Sequence, residues 1–240
     1  GKKVISAFEF YEQNQVDEAI AVLKEANTKG DFDTAYVYRY LGNLIASKGK
    51  NAGKEAIGYL KTAVEKDVLN PSEQQGTVRL LADLYLQEEQ YANAITMYEK
   101  WMQTACKHEG RVYVNIAHAK YQLKKLDEMI TPLDKAIALQ QAKPNKDPFT
   151  LKMTSYYERK MYKEAIGVLE TALQLFPDYR GYWVQLGMFY MMTEQTKKAL
   201  SLFEVAYGLG HLEKASEIKA LANLYAVNEM PFNAARLLEK

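Results

Sequence analysis

The feature that most constrains this chain is self-similarity at a period of about 35 residues, the spacing of stacked helical hairpins and not of a single compact core. Leu81-Ala82-Asp83-Leu84-Tyr85 aligns without a gap on Leu221-Ala222-Asn223-Leu224-Tyr225, and Glu99-Lys100 then falls on Glu239-Lys240. The offset corresponds to four periods. A series of anchors, Ala19, Ala56, Ala94, Met129, Ala165, Ala199 and Ala234, marks a second helix in each of about seven units. A companion series, Ala7, Gly42, Ala82, Ala117, Met153, Gly187 and Ala222, marks the first helix, and only Met153 in it is bulky. Helices approach closely only where side chains are small, so these two series predict where the helices of each hairpin touch.

Between the anchors, apolar residues recur at helical spacing, as in Leu81, Leu84 and Tyr85, and then Ile95 and Tyr98. No strand-like alternation competes. Helix-breaking clusters at Lys48-Gly49-Lys50-Asn51, Asn70-Pro71-Ser72, Pro144-Asn145-Lys146 and Pro177-Asp178 separate the segments. Pro132 falls near the start of a second helix, where a missing N–H is tolerated and a mild kink is expected. The fold class expected is all-α, a right-handed superhelical solenoid of antiparallel helix hairpins. The repeats are placed at 1–33, 35–70, 75–108, 110–144, 146–178, 180–213 and 215–240, in one domain over residues 1–240. Val4 already sits inside a helix and Lys240 precedes the end of the last motif, so continuation beyond Lys240 is expected.

One repeat reads Trp183-x2-Leu186-Gly187-x2-Tyr190, then Ala199-x3-Phe203-x2-Ala206, with Pro177 closing the repeat before it. This resembles the tetratricopeptide pattern. The resemblance implies that first helices line a concave face that grips a peptide or protein, so the outward positions of those helices are the candidate partner-binding residues. They are Arg39 and Asn43, Arg79 and Asp83, Arg111 and Asn115, then His118, Tyr121, Tyr157, Met188 and Met191, with Lys219 and Asn223 near the end. An arginine fork beside an amide suits a carboxylate or a peptide backbone, whereas aromatic rings and thioethers suit adaptable contact. The arginine pairs resemble the carboxylate clamp of chaperone-binding members in part. Leu80 stands where that clamp carries asparagine, and Arg111 with Asn115 stands where it is doubly basic. A solvated i,i+4 pair is the plainer account of Arg79 and Asp83, and for Tyr121, Tyr157 and Met191 packing against the neighbouring repeat stands on an equal footing with partner contact.

Chemistry finds no footing in the sequence. The histidines His108, His118 and His211 have no metal-ligand spacing with one another or with Cys106, and nucleotide loops and nucleophile elbows are absent. No catalytic residue, metal or cofactor is expected. With 31 basic and 30 acidic residues, net charge gives no reason to expect nucleic acid, and no apolar run is long enough to span a bilayer. A lone cysteine fits the cytoplasm and an export compartment equally.

Four segments, Tyr38-Arg39-Tyr40-Leu41-Gly42-Asn43, Arg79-Leu80-Leu81-Ala82-Asp83-Leu84, Lys143-Pro144-Asn145-Lys146 and Tyr156-Tyr157-Glu158-Arg159-Lys160, resemble exported gammaproteobacterial tetratricopeptide proteins encoded beside TonB-type systems. That resemblance implies a periplasmic location and a TonB-system component as partner. The alternatives are a cytoplasmic co-chaperone adaptor reading a C-terminal carboxylate, and the non-catalytic arm of a larger enzyme or export assembly.

Overall fold

A computed structural model of the chain describes residues 1–140 and 142–239; Lys240, the last residue of the internal alignment and of the final predicted repeat, lies outside them. All regular structure among the described residues is helical. The backbone divides into two compact units, residues 1–124 and 125–240, and the division falls within the fourth predicted repeat.

The first unit holds α1 (Lys2–Glu12), α2 (Val16–Lys24), α3 (Asp31–Ser47), α4 (Gly53–Lys66), α5 (Pro71–Gln87), α6 (Tyr91–Thr104) and α7 (Gly110–Gln122). Consecutive helices pack as antiparallel pairs, and each pair packs on the next. Its core runs through Leu41, Ile45, Leu60, Leu81, Tyr98 and Val112, all nearly or fully buried. Each such aliphatic side chain contributes about 1.5–3 kcal/mol by leaving water. The extra length of the second repeat is taken up by a 3-10 turn, Lys50–Ala52, between α3 and α4. Helix α5 starts at Pro71 because the Asn70 side chain accepts from the Glu73 N–H, while proline lacks an N–H that would go unbonded there. That start lies ahead of the predicted repeat boundary at residue 75, and α3 likewise begins at Asp31, after Gly30 at φ 88°.

The second unit holds a 3-10 turn, Asp127–Met129, leading into α8 (Ile130–Ala138), then α9 (Asp147–Glu158), α10 (Tyr162–Leu175), α11 (Arg180–Met192), α12 (Thr196–Gly208), α13 (Ala215–Val227) and α14 (Pro231–Leu238). Pro132 sits in the first turn of α8 and is buried. Leu169, Tyr182, Phe203 and Leu221 form the centre of this core.

The small anchors mark close helix contacts. Ala19, Ala56, Ala94, Ala165 and Ala199 are fully buried, as is Met129. Ala7, Ala82, Ala117, Met153 and Ala222 are buried opposite them, whereas Ala234 in the last helix is only half-buried. A Cβ on Gly42 would lie 2.4 Å from Leu60 Cγ, and one on Gly187 would lie 2.0 Å from Phe203 Cε1. No side chain fits at either place without displacing Leu60 or the Phe203 ring.

The hairpin turns repeat as faithfully as the anchors. Asn14, Glu89, Lys124, Lys160, Glu194 and Glu229 each adopt a left-handed backbone, with φ between 57° and 62°. Gln15, Gln90, Met161, Gln195 and Met230 each donate their N–H to a carbonyl five residues earlier at 2.8 Å. This closes a first helix and reverses the chain.

Candidate functional site

In the first unit a cavity of about 430 Å³ opens between α1 and α3. Phe8, Tyr11, Tyr40 and Leu44 form its apolar wall, with Asn43 and Arg39 among its polar lining. Phe8 meets Tyr40 edge to face at 4.9 Å, and Tyr40 meets Tyr36 at 5.0 Å, so the wall is a braced row of rings. Arg39 is not a free cation. Its Nη1 donates to Glu73 Oε1 of α5 at 2.9 Å, its guanidinium lies 5.0 Å from the Tyr40 ring centre, and both charged side chains are about four-fifths buried. Asn43 is exposed and donates Nδ2 to the Arg39 carbonyl at 2.9 Å.

Arg79, Asp83 and Asn115 meet through a residue that the outward-position rule does not select. The Tyr98 hydroxyl of α6 donates to Asp83 Oδ1 and accepts from Asn115 Nδ2 at 3.0 Å, tying α5, α6 and α7 together. Burial, reinforced by the hydrogen bond to the Asp83 carboxylate, pushes the Tyr98 hydroxyl far above the usual phenol range. Arg79 places Nε 3.4 Å from Asp83 Oδ2, donates Nη1 to Glu109 Oε2 at 3.2 Å, and covers the Trp101 ring at 5.0 Å. Its side chain is 19% exposed, so it is a packed element and not a surface charge. Arg111 is exposed with no ion pair among the described residues, so it and Asn115 face different surroundings. The rings of His118 and Tyr91 are nearly perpendicular with centres 6.4 Å apart, and Lys124 Nζ sits 5.3 Å from the centre of the Tyr121 ring.

The second unit brings another part of the candidate set together. Met191 of α11 and Lys219 and Asn223 of α13 line a cavity of about 400 Å³, completed by Ala220, Leu224, Val227 and the hydroxyl residues Thr196 and Ser216. Lys219 and Asn223 are exposed, one helical turn apart, and neither has an ion-pair or hydrogen-bond partner among the described residues. Met188 is exposed nearby in sequence on α11, whereas Tyr157 of α9 stacks on Phe189 at 5.4 Å with planes 11° apart. The two cavities occupy the same place in the repeat. Lys219, Ala220, Asn223, Leu224 and Val227 stand 180 residues after Arg39, Tyr40, Asn43, Leu44 and Ser47, and Met191 stands 180 after Tyr11.

One contact escapes sequence reasoning altogether. Arg180 Nη2 lies 2.8 and 2.7 Å from the two carboxylate oxygens of Glu217, and its Nε donates to the His211 carbonyl at 3.1 Å. Glu217 also accepts the N–H groups of Glu213 and Lys214. Burial pushes this carboxyl up, but the hydrogen bonds from Lys214, Arg180 and Glu213 outweigh it and hold Glu217 below the usual carboxylate range. The separation of 37 residues differs from the 34 of Arg39 to Glu73 and the 30 of Arg79 to Glu109, and Arg180 opens its helix while the other two arginines lie mid-helix, so no common spacing marks the pair in sequence.

Residues 77–113 and residues 110–143 each match a tetratricopeptide repeat family model. The chain carries tetratricopeptide repeats. Solved structures agree at the level of fold. YrrB, described as a tetratricopeptide protein with an unusual peptide-binding site, is 17% identical with a TM-score of 0.55, over 92% of this chain and 97% of that one. A MamA protein is 20% identical with a TM-score of 0.60, over 78% of this chain and 96% of its own. Pseudomonas aeruginosa pilF is 19% identical with a TM-score of 0.52, over 87% and 90%. No curated protein matches the chain. In tetratricopeptide terms, both cavities lie between the first helices of adjacent repeats, α1 with α3 and α11 with α13. No group of His, Cys, Asp and Glu side chains suited to a metal occurs among the described residues, and no helix there is long and apolar enough to cross a membrane.

Proposed function

We propose that this chain is a non-catalytic scaffold that holds a protein or peptide segment along the first helices of its repeats, in the bacterial envelope and in support of a TonB-type transport system. The observation that carries the binding reading is the recurrence of an open cavity at the same repeat position, at α1–α3 and again at α11–α13. Each cavity pairs an apolar wall with an asparagine at the same repeat position, Asn43 and Asn223, the combination that seats a side chain while hydrogen-bonding a backbone. The peptide-binding site ascribed to YrrB belongs to a protein of the same fold and accords with this use. The envelope and TonB parts rest on the resemblance of the four segments named above. A co-chaperone reading of a terminal carboxylate would need Arg39 open, and Glu73 already occupies it.

The test is in-cell cross-linking of the intact protein followed by capture from envelope extracts, comparing wild type with a Phe8→Ala/Asn43→Ala variant. Recovery of a TonB-system or inner-membrane protein, reduced in the variant, is the expected result. Cross-links confined to cytoplasmic proteins would overturn the location and the transport role. Cross-links unaffected by the variant would remove the α1–α3 cavity from the binding surface.

A further inference from the structure

The second helices of the repeats carry a cavity of their own, of about 340 Å³, between α8 and α10 in the second unit. Ile137, Phe149 and Val168 are its apolar floor, and Gly167, with nothing within 4 Å of the place of a Cβ, leaves one side open. Asp134, Lys152, Tyr156, Glu164 and Thr171 are its polar rim. One residue sets this repeat apart. Lys152 stands one place before the anchor of α9, where Leu41, Leu81, Ile116, Leu186 and Leu221 fill the core in other first helices. A lysine there needs a partner, and its ammonium reaches Asp134 Oδ1 at 2.7 Å.

Asp134 and Glu164 stand five residues after Met129 and one before Ala165, the places that Lys24 and Glu55 hold relative to Ala19 and Ala56. In the first unit the Lys24 ammonium donates to Glu55 and joins α2 to α4. In the second unit the lysine of that pair is an aspartate already taken by Lys152, and Glu164 is exposed with no ion-pair or hydrogen-bond partner among the described residues. The second helices before and after α10 in repeat order, α8 and α12, are both present, and neither supplies a cation. Both glutamates lie in the first turn of their helix, where an acid is favoured, and Glu55 takes a lysine all the same.

From this comparison we propose that the α8–α10 cavity binds an arginine or lysine side chain from a basic segment of a partner protein, in the role that Lys24 plays for Glu55. The stem of that side chain lies over Ile137 and Val168 and its head meets Glu164. Long cations bury their methylenes while keeping the charge at the edge, which suits an apolar floor below a carboxylate. The charges of Asp134 and Lys152 cancel, so Glu164 sets the sign of the lining and charge complementarity selects a cation. The hydroxyls agree with this choice. Thr171 donates its proton to the Gly167 carbonyl at 3.2 Å, so its oxygen has only acceptor capacity left, and the Tyr156 hydroxyl can accept as well, whereas cationic heads carry donors only. This surface is distinct from the first-helix cavities, and the inference does not rest on them.

The experiment uses the full chain, labelled at isoleucine and valine methyl groups, and three nonapeptides of alanine and serine with arginine, citrulline or norleucine at the centre, acetylated and amidated so that no terminal charge contributes. Methyl NMR spectra titrated to millimolar peptide are expected to show the Ile137 and Val168 signals moving with the arginine peptide, which binds about fivefold more tightly than either neutral one. Glu164→Gln is expected to reduce the arginine peptide to the level of the citrulline peptide, while the remaining methyl signals keep their wild-type positions because the residue is exposed. Equal affinity for arginine and citrulline, or an unchanged affinity in Glu164→Gln, overturns the assignment. So does the absence of any shift at Ile137 and Val168. Shifts confined to Val4 or Val227 overturn it too, yet support the first-helix reading, since the peptide then sits in one of those cavities. The cross-linking experiment decides that reading separately.

Discussion

Arg180 of α11 holds both carboxylate oxygens of Glu217 at the start of α13, 2.8 and 2.7 Å away, and so fastens one hairpin to the next with a largely buried charge pair. Removing one member leaves the other charge without its partner, a loss that exceeds the net value of the pair. Arg180→Met is expected to destabilise the second unit by about 2–3 kcal/mol, read as a shift in the urea midpoint.

The same carboxylate makes stability depend on acid. Glu217 is held below its ordinary range in the folded protein, so its contribution is present above the unfolded-state value near ~4.3 and is lost as pH falls through the lower folded-state value. Melting temperature followed from pH 7 downward is expected to fall less steeply for Glu217→Gln than for wild type below about pH 4. Parallel curves would show that other carboxylates govern the acid response.

Tyr98 gives the first unit a comparable fastening. Tyr98→Phe removes the hydroxyl between Asp83 and Asn115 and should cost about 1–2 kcal/mol. Arg79→Ala should cost about as much, through lost cover on Trp101 and a stranded Asp83. The sequence alone suggests that alanine at Arg39 and Arg79 weakens binding with little effect on melting. Their burial and their contacts with Glu73 and Glu109 instead lead us to expect a lower melting temperature for both variants.

Two glycines in helices give opposite expectations. Gly187→Leu drives a side chain into Phe203 and is expected to cost at least about 1–3 kcal/mol. Gly58→Ala, with nothing within 4 Å of the added carbon, should instead raise stability by about 0.5–1 kcal/mol. A neutral Gly187→Leu would mean that α11 and α12 do not touch at this point.

The fold was legible because the helix contacts are written in residue size. A small residue every 35 or so positions has a single geometric meaning, and Ala56, Ala94, Gly42 and Gly187 are buried where that meaning puts them. The candidate surface was legible only in part. Outward position in a helix distinguishes core from non-core, but it cannot tell whether Arg39 meets solvent or Glu73, because the answer lies in the next hairpin. Met191, Lys219 and Asn223 converge on one cavity, while Arg79, Asp83 and Asn115 converge on a tyrosine instead. The turns were illegible for a different reason. Left-handed positions usually advertise themselves with glycine, and here Glu89, Lys160 and Glu194 occupy them.

Those turns have a consequence for how the molecule tolerates change. The reversal of each hairpin is secured by main-chain bonds, such as Gln90 to Tyr85 and Gln195 to Tyr190, and not by any particular side chain. Residues at the tips are therefore at liberty to vary in charge and size without unseating the helices on either side. Loop tips of this kind offer sites where tags, labels or inserted segments can be grafted while both cavities keep their form.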